Sequence, residues 1–215
     1  MTEFEKRLLM NYMINGENIG SVNVFDAIAT LSKIDGSYII DVIIENKSNL
    51  RSICTNNIPQ FSNEKDIYSV LRVLIDSGIN DLSYEKIGSY LCPNNAKSTA
   101  KRKYGENHYK FAQQLGLAVK ERPFSATEIG VAYYLMENDN ERQALMNRLV
   151  LSIPIVQHSI VKASESHFSM VDFLAEFLSP STVIRRRSNM RKIMSWAYEI
   201  TTGNNKNIFD NIVWY

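Results

Sequence analysis

Two stretches of the 215-residue chain concentrate side chains that bind anions. The first, Asn95–Lys110, carries Lys97, Lys101, Arg102, Lys103 and Lys110 against one acid, Glu106, with Tyr104, Asn107 and His108 among them. The second, SPSTVIRRRSNMRKIMSWAYEI, runs from Ser179 to Ile200. It carries Arg185, Arg186, Arg187, Arg191 and Lys192, and its first acid is Glu199. Lysine and arginine neutralise phosphates. Arginine also gives two parallel bonds to guanine O6 and N7, and asparagine pairs with adenine N6 and N7. The formal net charge of the chain is only +1, so the positive charge is local rather than general. Acids gather elsewhere, as in MENDNE (Met136–Glu141). Two basic clusters in a nearly neutral chain point to a bipartite anionic partner.

Helical spacing organises the second cluster. Ser179 suits an N-cap and Pro180 the first helical position. Val183, Met190, Met194 and Ala197 fall on one stripe, with Ile184, Ile193 and Ile200 beside it, and this face is expected to pack on MVDFLAEFL (170–178). Arg185, Ser188, Asn189 and Lys192 follow i, i+3, i+4, i+7 spacing on another face. Arg185, Asn189 and Lys192 are the candidates for base edges; Arg186, Arg187 and Arg191 are the candidates for phosphates. The alternative is ion pairing of Arg187 or Arg191 with Asp172 or Glu176. In the first cluster, a helix beginning near Gly105 places Asn107, His108 and Lys110 in its first turn or so. KSTAKRKYG then becomes a basic loop that sets Lys97, Lys101, Arg102 and Lys103 against phosphates, with Tyr104 stacked or bonded to one. His108 also reads simply as an exposed imidazole on a basic face.

The elements that must position these clusters divide into three segments. Residues 1–65 hold a helix over Phe4–Met13 and two β-like runs, GSVNVFDAIATLS and SYIIDVIIENK, around the turn signal KIDG, followed by the loop TNNIPQFSNEKD. Residues 66–136 read as three helices and a hairpin-like wing. Gly78, Pro93 and Gly116 act as helix stops, LAV is a short strand, KERP is a turn, and Ser125 or Thr127 caps a restarting helix. Residues 137–215 appear as an amphipathic helix broken at Pro154, a short helix in SMVDFLAEFL, the arginine helix, and a tail, IFDNIVWY, that is a second wing or a docking strand. The expected class is mainly α with a small β component.

The order helix–helix–helix–wing is that of the winged helix-turn-helix. YKFAQQLGLAV…FSATEIGVAYYL resembles the winged-helix modules in the DNA-recognition halves of type II and IIS restriction endonucleases, and those of bacterial DNA-binding proteins in defence systems. The resemblance spans roughly residues 66–200. It implies two tandem winged-helix modules, 66–136 and 137–215, preceded by a small N-terminal helix and β-hairpin element. It also implies double-stranded DNA as the ligand, bound sequence-specifically in restriction-modification, defence or transcription regulation. It does not imply cleavage.

KIDGSYIIDVIIENK carries a second chemistry. It resembles the PD-(D/E)xK nuclease signature, in which Asp35 and Glu45 would hold Mg²⁺ and Lys47 would polarise the attacking water or the scissile phosphate. Ile34 stands where that signature has proline, and SNLRSICTNNIPQF is too short to supply the helix and strand that complete such a core. The reading taken is therefore non-enzymatic, with no cofactor and no metal; a Mg²⁺-dependent endonuclease is one alternative. A winged-helix protein-interaction subunit is another. The tail NIVWY either docks on the body or seeds a homodimer. There is no glycine-rich phosphate loop, no serine elbow, and no stacking-platform motif of single-stranded RNA binders. Cys54 and Cys92 form no C-x-x-C, and His108, His158 and His167 are far apart, which gives no structural zinc site. The 45% hydrophobic and 22% charged composition is that of a globular protein. No apolar run approaches ~20 residues, so no membrane span is expected. The first residues lack a small-residue cleavage site, so the expected location is the cytoplasm, with reduced cysteines.

Overall fold

The computed structural model describes residues 2–17, 23–76 and 82–215; Gly78 and the Gly20–Val22 start of the first β-like run lie outside them. The described chain is mainly helical. Helix α1 (Glu3–Leu8) continues as a π-helical stretch, Leu9–Asn15, and is followed by α2 (Val24–Leu31), α3 (Gly36–Glu45), α4 (Asp66–Asp76) and α5 (Tyr84–Leu91). Then come α6 (Ser98–Gln114), α7 (Glu128–Leu135), α8 (Asp139–Leu149), α9 (Pro154–Glu165), β1 (Phe168–Ser169), α10 (Met170–Ala175), α11 (Pro180–Glu199) and β2 (Ile212–Val213). The chain forms two compact units, residues 1–58 with 139–215, and residues 59–138. This division differs from the three consecutive segments expected. Residues 1–58 of the expected N-terminal segment belong to the first unit, and residues 59–65 to the second.

The expected N-terminal β-hairpin is replaced by α2 and α3. Both runs are rich in Val and Ile, but their buried positions recur at helical spacing: Ala27, Ile28 and Leu31 in α2, and Ile39, Ile40 and Ile43 in α3. Each helix also has a polar cap. Asn23 accepts from the Phe25 amide at 3.0 Å, and Asp35 accepts from the Ser37 amide at 2.8 Å. At α9, Pro154 occupies the first turn, and residues 139–152 and 154–165 meet at a 74° bend. Ile155, Val156, Ile160 and Ala163 are buried in this helix, as are Gln157 and Ser159. Gln157 uses its amide to donate to the Met13 carbonyl, at 2.8 Å, within the π-helical stretch. Among the described residues no single helix is long and apolar enough to cross a membrane.

Polar contacts join the N-terminal helices of this unit to its C-terminal ones. The Gly36 amide donates to the Ile200 carbonyl at 2.8 Å, just past the end of α11. Ser37 Oγ donates to the Thr202 carbonyl at 2.7 Å, and Thr202 Oγ1 donates to Asp35 at 2.7 Å. Asn205 donates to Asp41 at 2.7 Å. Arg148, buried on α8, donates from Nε to the Ile34 carbonyl at 2.6 Å. The tail takes the docking alternative: β2 pairs in parallel with β1, Phe168 opposite Ile212 and Ser169 opposite Val213. A wing would need an antiparallel hairpin, so these strands do not form one.

The second unit holds α4 to α7. Phe61 stacks on Phe111 at 4.4 Å, and Tyr109 packs against Phe124 at 4.4 Å. Helices α5 and α6 cross backbone against backbone. A Cβ on Gly88 would lie 1.8 Å from the Lys101 carbonyl oxygen, and one on Gly105 would lie 2.0 Å from that of Tyr84. Gly116, at φ +73°, ends α6 as expected. A short hairpin follows, with the Val119 amide donating to Ser125 at 3.0 Å and the Thr127 amide to Leu117 at 3.0 Å. Thr127 then caps α7, accepting from the Gly130 amide at 3.1 Å.

The Gly88–Gly105 crossing makes a prediction whose sign is diagnostic. Alanine at an ordinary helical glycine stabilises by roughly 1 kcal/mol. At Gly105 the methyl has no room, so Gly105→Ala is expected to destabilise by about 2 kcal/mol or more. A urea unfolding series reads the difference; a raised midpoint would remove the close crossing as a determinant of the fold.

Candidate nucleic-acid interface

The two basic clusters look alike in sequence and differ in structure. Helix α6 does not begin near Gly105: it starts at Ser98, so the expected basic loop is the first half of a 17-residue helix. Lys97 is its N-cap, in extended conformation. Ala100 and the run Lys101–Lys103 have good helix propensity, and no glycine or proline interrupts them. Lys97, Arg102 and Lys103 are exposed. Lys101 donates to the Asn94 carbonyl at 3.0 Å. Glu106 takes both Lys103, at 3.2 Å, and Lys110, at 2.7 Å, and these cations hold its carboxyl below the usual carboxylate range. Asn107 is half-buried.

His108 and Tyr104 are engaged by hydrogen bonds inside the second unit. His108 is fully buried. Its Nε2 accepts from the Ser62 amide at 3.2 Å, and its Nδ1 lies 2.9 Å from the Tyr104 carbonyl. This is the pattern of a neutral ring protonated on Nδ1. Burial lowers its pKa further than the nearby Asp66 and the Tyr104 carbonyl raise it. The 3.5 Å approach of Nε2 to Asp66 is therefore not an ion pair. The Tyr104 hydroxyl donates to Asp66 at 2.6 Å, and burial followed by that bond raises its pKa. Both were sequence candidates for DNA contact, and both belong to the packing of α6 on α4 and the segment before it.

In α11 the apolar stripe is buried as expected: Val183, Met190, Met194 and Ala197, joined by Ile193 and Trp196. It packs on α10 and α8. Ile184 is the exception, at 67% exposure. Pro180 sits in the first turn, but Ser179 makes no capping bond; its hydroxyl donates to Thr182 Oγ1 at 3.0 Å. Arg185, Arg187, Ser188 and Arg191 are exposed, whereas Arg186, Asn189 and Lys192 are half-buried. The ammonium of Lys192 lies 5.7 Å above the Trp196 ring. Asn189 and Lys192 are thus less available for base edges than expected, and Arg187 and Arg191 more prominent. None of Arg185, Arg186, Arg187 and Arg191 forms an ion pair with a described carboxylate. Glu176, one of the expected acid partners, lies 3.9 Å from Lys162 instead. Burial, and then the like charge of Arg185, push the Arg186 guanidinium down to about 10.

Trp214 and Tyr215, which are not among the sequence candidates, lie beside the arginine helix. The β1–β2 pairing delivers them to the arginine face, where Arg187 Nη1 donates to the Trp214 carbonyl at 3.4 Å. Arg187, Ser188, Arg191, Trp214 and Tyr215 line a groove of about 400 Å³. The sequence signal was the Trp-Tyr pair after an apolar strand.

The nuclease alternative is not assembled. Asp35 caps one end of α3 and Glu45 lies at the other, roughly 15 Å away at the rise of an α-helix. Lys47 pairs with Glu165 at 2.7 Å. Among the described residues no group of three or more His, Cys, Asp or Glu side chains gathers to hold a metal ion. No family model, no curated protein and no solved structure matches the chain.

His108 supplies a pH test. Its folded pKa lies below the ordinary histidine value of ~6.5. In acid the unfolded chain therefore binds the proton more readily than the folded one, and stability falls as the pH drops through ~6.5. His108→Gln keeps a polar side chain and removes the titration. It is expected to lower stability at pH 7.5 and to lose less than the unaltered protein between pH 7.5 and 5.5. Equal losses in thermal unfolding scans would mean that His108 does not titrate as assigned.

Proposed function

We propose that this protein binds double-stranded DNA through the arginine face of α11. The observation that carries the reading is the set Arg185, Arg187 and Arg191, exposed, without acid partners among the described residues, on a helix whose opposite face is locked in the core. Such a helix presents guanidinium groups to a groove or to phosphates without an internal ion pair to break. Arg185 and Ser188 are assigned to base edges and Arg187 and Arg191 to phosphates, with half-buried Arg186 steadying the local potential.

The second unit is assigned to the winged-helix plan and to an auxiliary contact. Three helices followed by a short antiparallel hairpin support that assignment. Exposed cations at the start of α6 and on the hairpin include Lys97, Arg102, Lys120 and Arg122, whereas Lys103 is paired with Glu106. Helix α6 contributes less than α11, because Glu106 neutralises part of its charge.

Binding to a random duplex library, with EDTA present, tests the assignment. Affinity is expected to fall by roughly 10³-fold or more between about 50 and 200 mM salt. Arg187→Ala with Arg191→Ala should weaken binding and flatten the logarithmic salt slope by about 2. An enriched motif that disappears in Arg185→Ala would assign base reading to α11. Retention indifferent to both substitutions would overturn the role of the helix.

A further inference from the structure

We propose that the groove between α11 and the chain after β2 holds an unpaired nucleotide, with its base stacked on Trp214 or Tyr215 and its phosphate between Arg187 and Arg191. The proposal rests on the nucleic-acid reading of α11 and adds a second kind of contact to it. Three observations converge. Arg187 and Arg191 are one helical turn apart on one face, close enough for both to reach one phosphate. Neither has an ion-pair partner among the described carboxylates. Two aromatic side chains stand beside them, and Tyr215 is 93% exposed, although an aromatic ring gains most by being covered.

The groove is also built rather than accidental. The parallel pairing of β2 with β1 fixes Ile212 and Val213, and Asn211 donates to the Ala163 carbonyl at 2.8 Å. Trp214 follows immediately. Its carbonyl accepts from Arg187, so one short segment both supplies the ring and orients a cation. The volume of about 400 Å³ lies within the usual range for small-ligand sites. A flat π surface beside guanidinium groups is the chemistry that single strands meet on their binding proteins: sequence-tolerant stacking with phosphate neutralisation. A base inside a duplex offers no free face, so the ligand is a nucleotide of a single-stranded segment, an overhang or an unstacked position.

The test uses the full chain and a fluorescently labelled, 5′-phosphorylated hexathymidylate, with a blunt duplex as the comparison. Hexathymidylate is expected to quench tryptophan emission saturably. Its affinity, read by anisotropy, should fall about ten- to a hundredfold in Trp214→Ala and less in Tyr215→Ala, with Trp214→Phe retaining most of it. Tyr215 is exposed, so Tyr215→Ala should leave the thermal unfolding midpoint unchanged while it weakens hexathymidylate binding. Hexathymidylate binding that is equally strong in Trp214→Ala and Tyr215→Ala would overturn the groove, whatever the duplex does. So would displacement of the oligonucleotide by inorganic phosphate at a concentration equal in phosphate groups, because no stacking would then be present. Failure of duplex binding with stacking intact would remove the function proposed above and leave this site standing.

Discussion

The end of α11 is fixed by the start of α3. An α-helix leaves carbonyls without partners at its C-terminus and amides without partners at its N-terminus. Here the Gly36 amide meets the Ile200 carbonyl, and Ser37, Thr202 and Asp35 close the remaining bonds around it. The partial charges at the two helix ends have opposite signs, so the meeting is favourable electrostatically as well as through hydrogen bonding. Gly36 has to be small, since a Cβ there would lie 2.8 Å from the Ile200 oxygen. With its end held and its apolar stripe buried on α8 and α10, α11 has one face left for solvent, and that face carries the arginines.

Charge counted along a sequence does not reveal which cations are spoken for. The stretches around Lys101 and Arg186 show comparable excesses of base over acid. A single glutamate placed three residues after one lysine and four before another takes both in α6. In α11 the nearest acid along the helix, Glu199, accepts from Asn147. The difference is one of position on the helical wheel rather than of composition.

Much of the helical part was legible because its signals are local. Pro154, Pro180, Gly116 and Thr127 mark helix ends by mechanisms that do not depend on the rest of the fold. The β-like runs read at 20–32 and 37–47 are helical over their described residues for a physical reason: a nearly continuous apolar run fits a buried strand and a buried helix alike. The caps Asn23 and Asp35 were present, but Asp-Gly also signals a turn. For His108 the clue was its register. Gly105, His108, Tyr109 and Ala112 follow i, i+3, i+4, i+7 spacing, and all are buried. The histidine sits on the inner stripe, where its neighbours leave no path to a ligand. For the tail a docking strand was one of two readings, but its partner and register were not legible, because a two-residue parallel pairing has no pattern of its own.

The first unit is assembled from the two ends of the chain, and residues 59–138 lie between them. A ribosome delivers these pieces in order. The second unit is complete once Asn138 has emerged, whereas α3 must wait for Ile200 and Thr202 to be made before its first turn finds its partners. Until then α2 and α3 carry Ile28, Leu31, Ile39, Ile40 and Ile43 with no mature core to enter. The inserted unit can therefore fold while its host is still incomplete, and the nascent α2–α3 segment carries the greater exposure to aggregation and chaperone capture. Closing a unit across so much intervening chain also slows its formation, since long-range contacts must be made before they are rewarded.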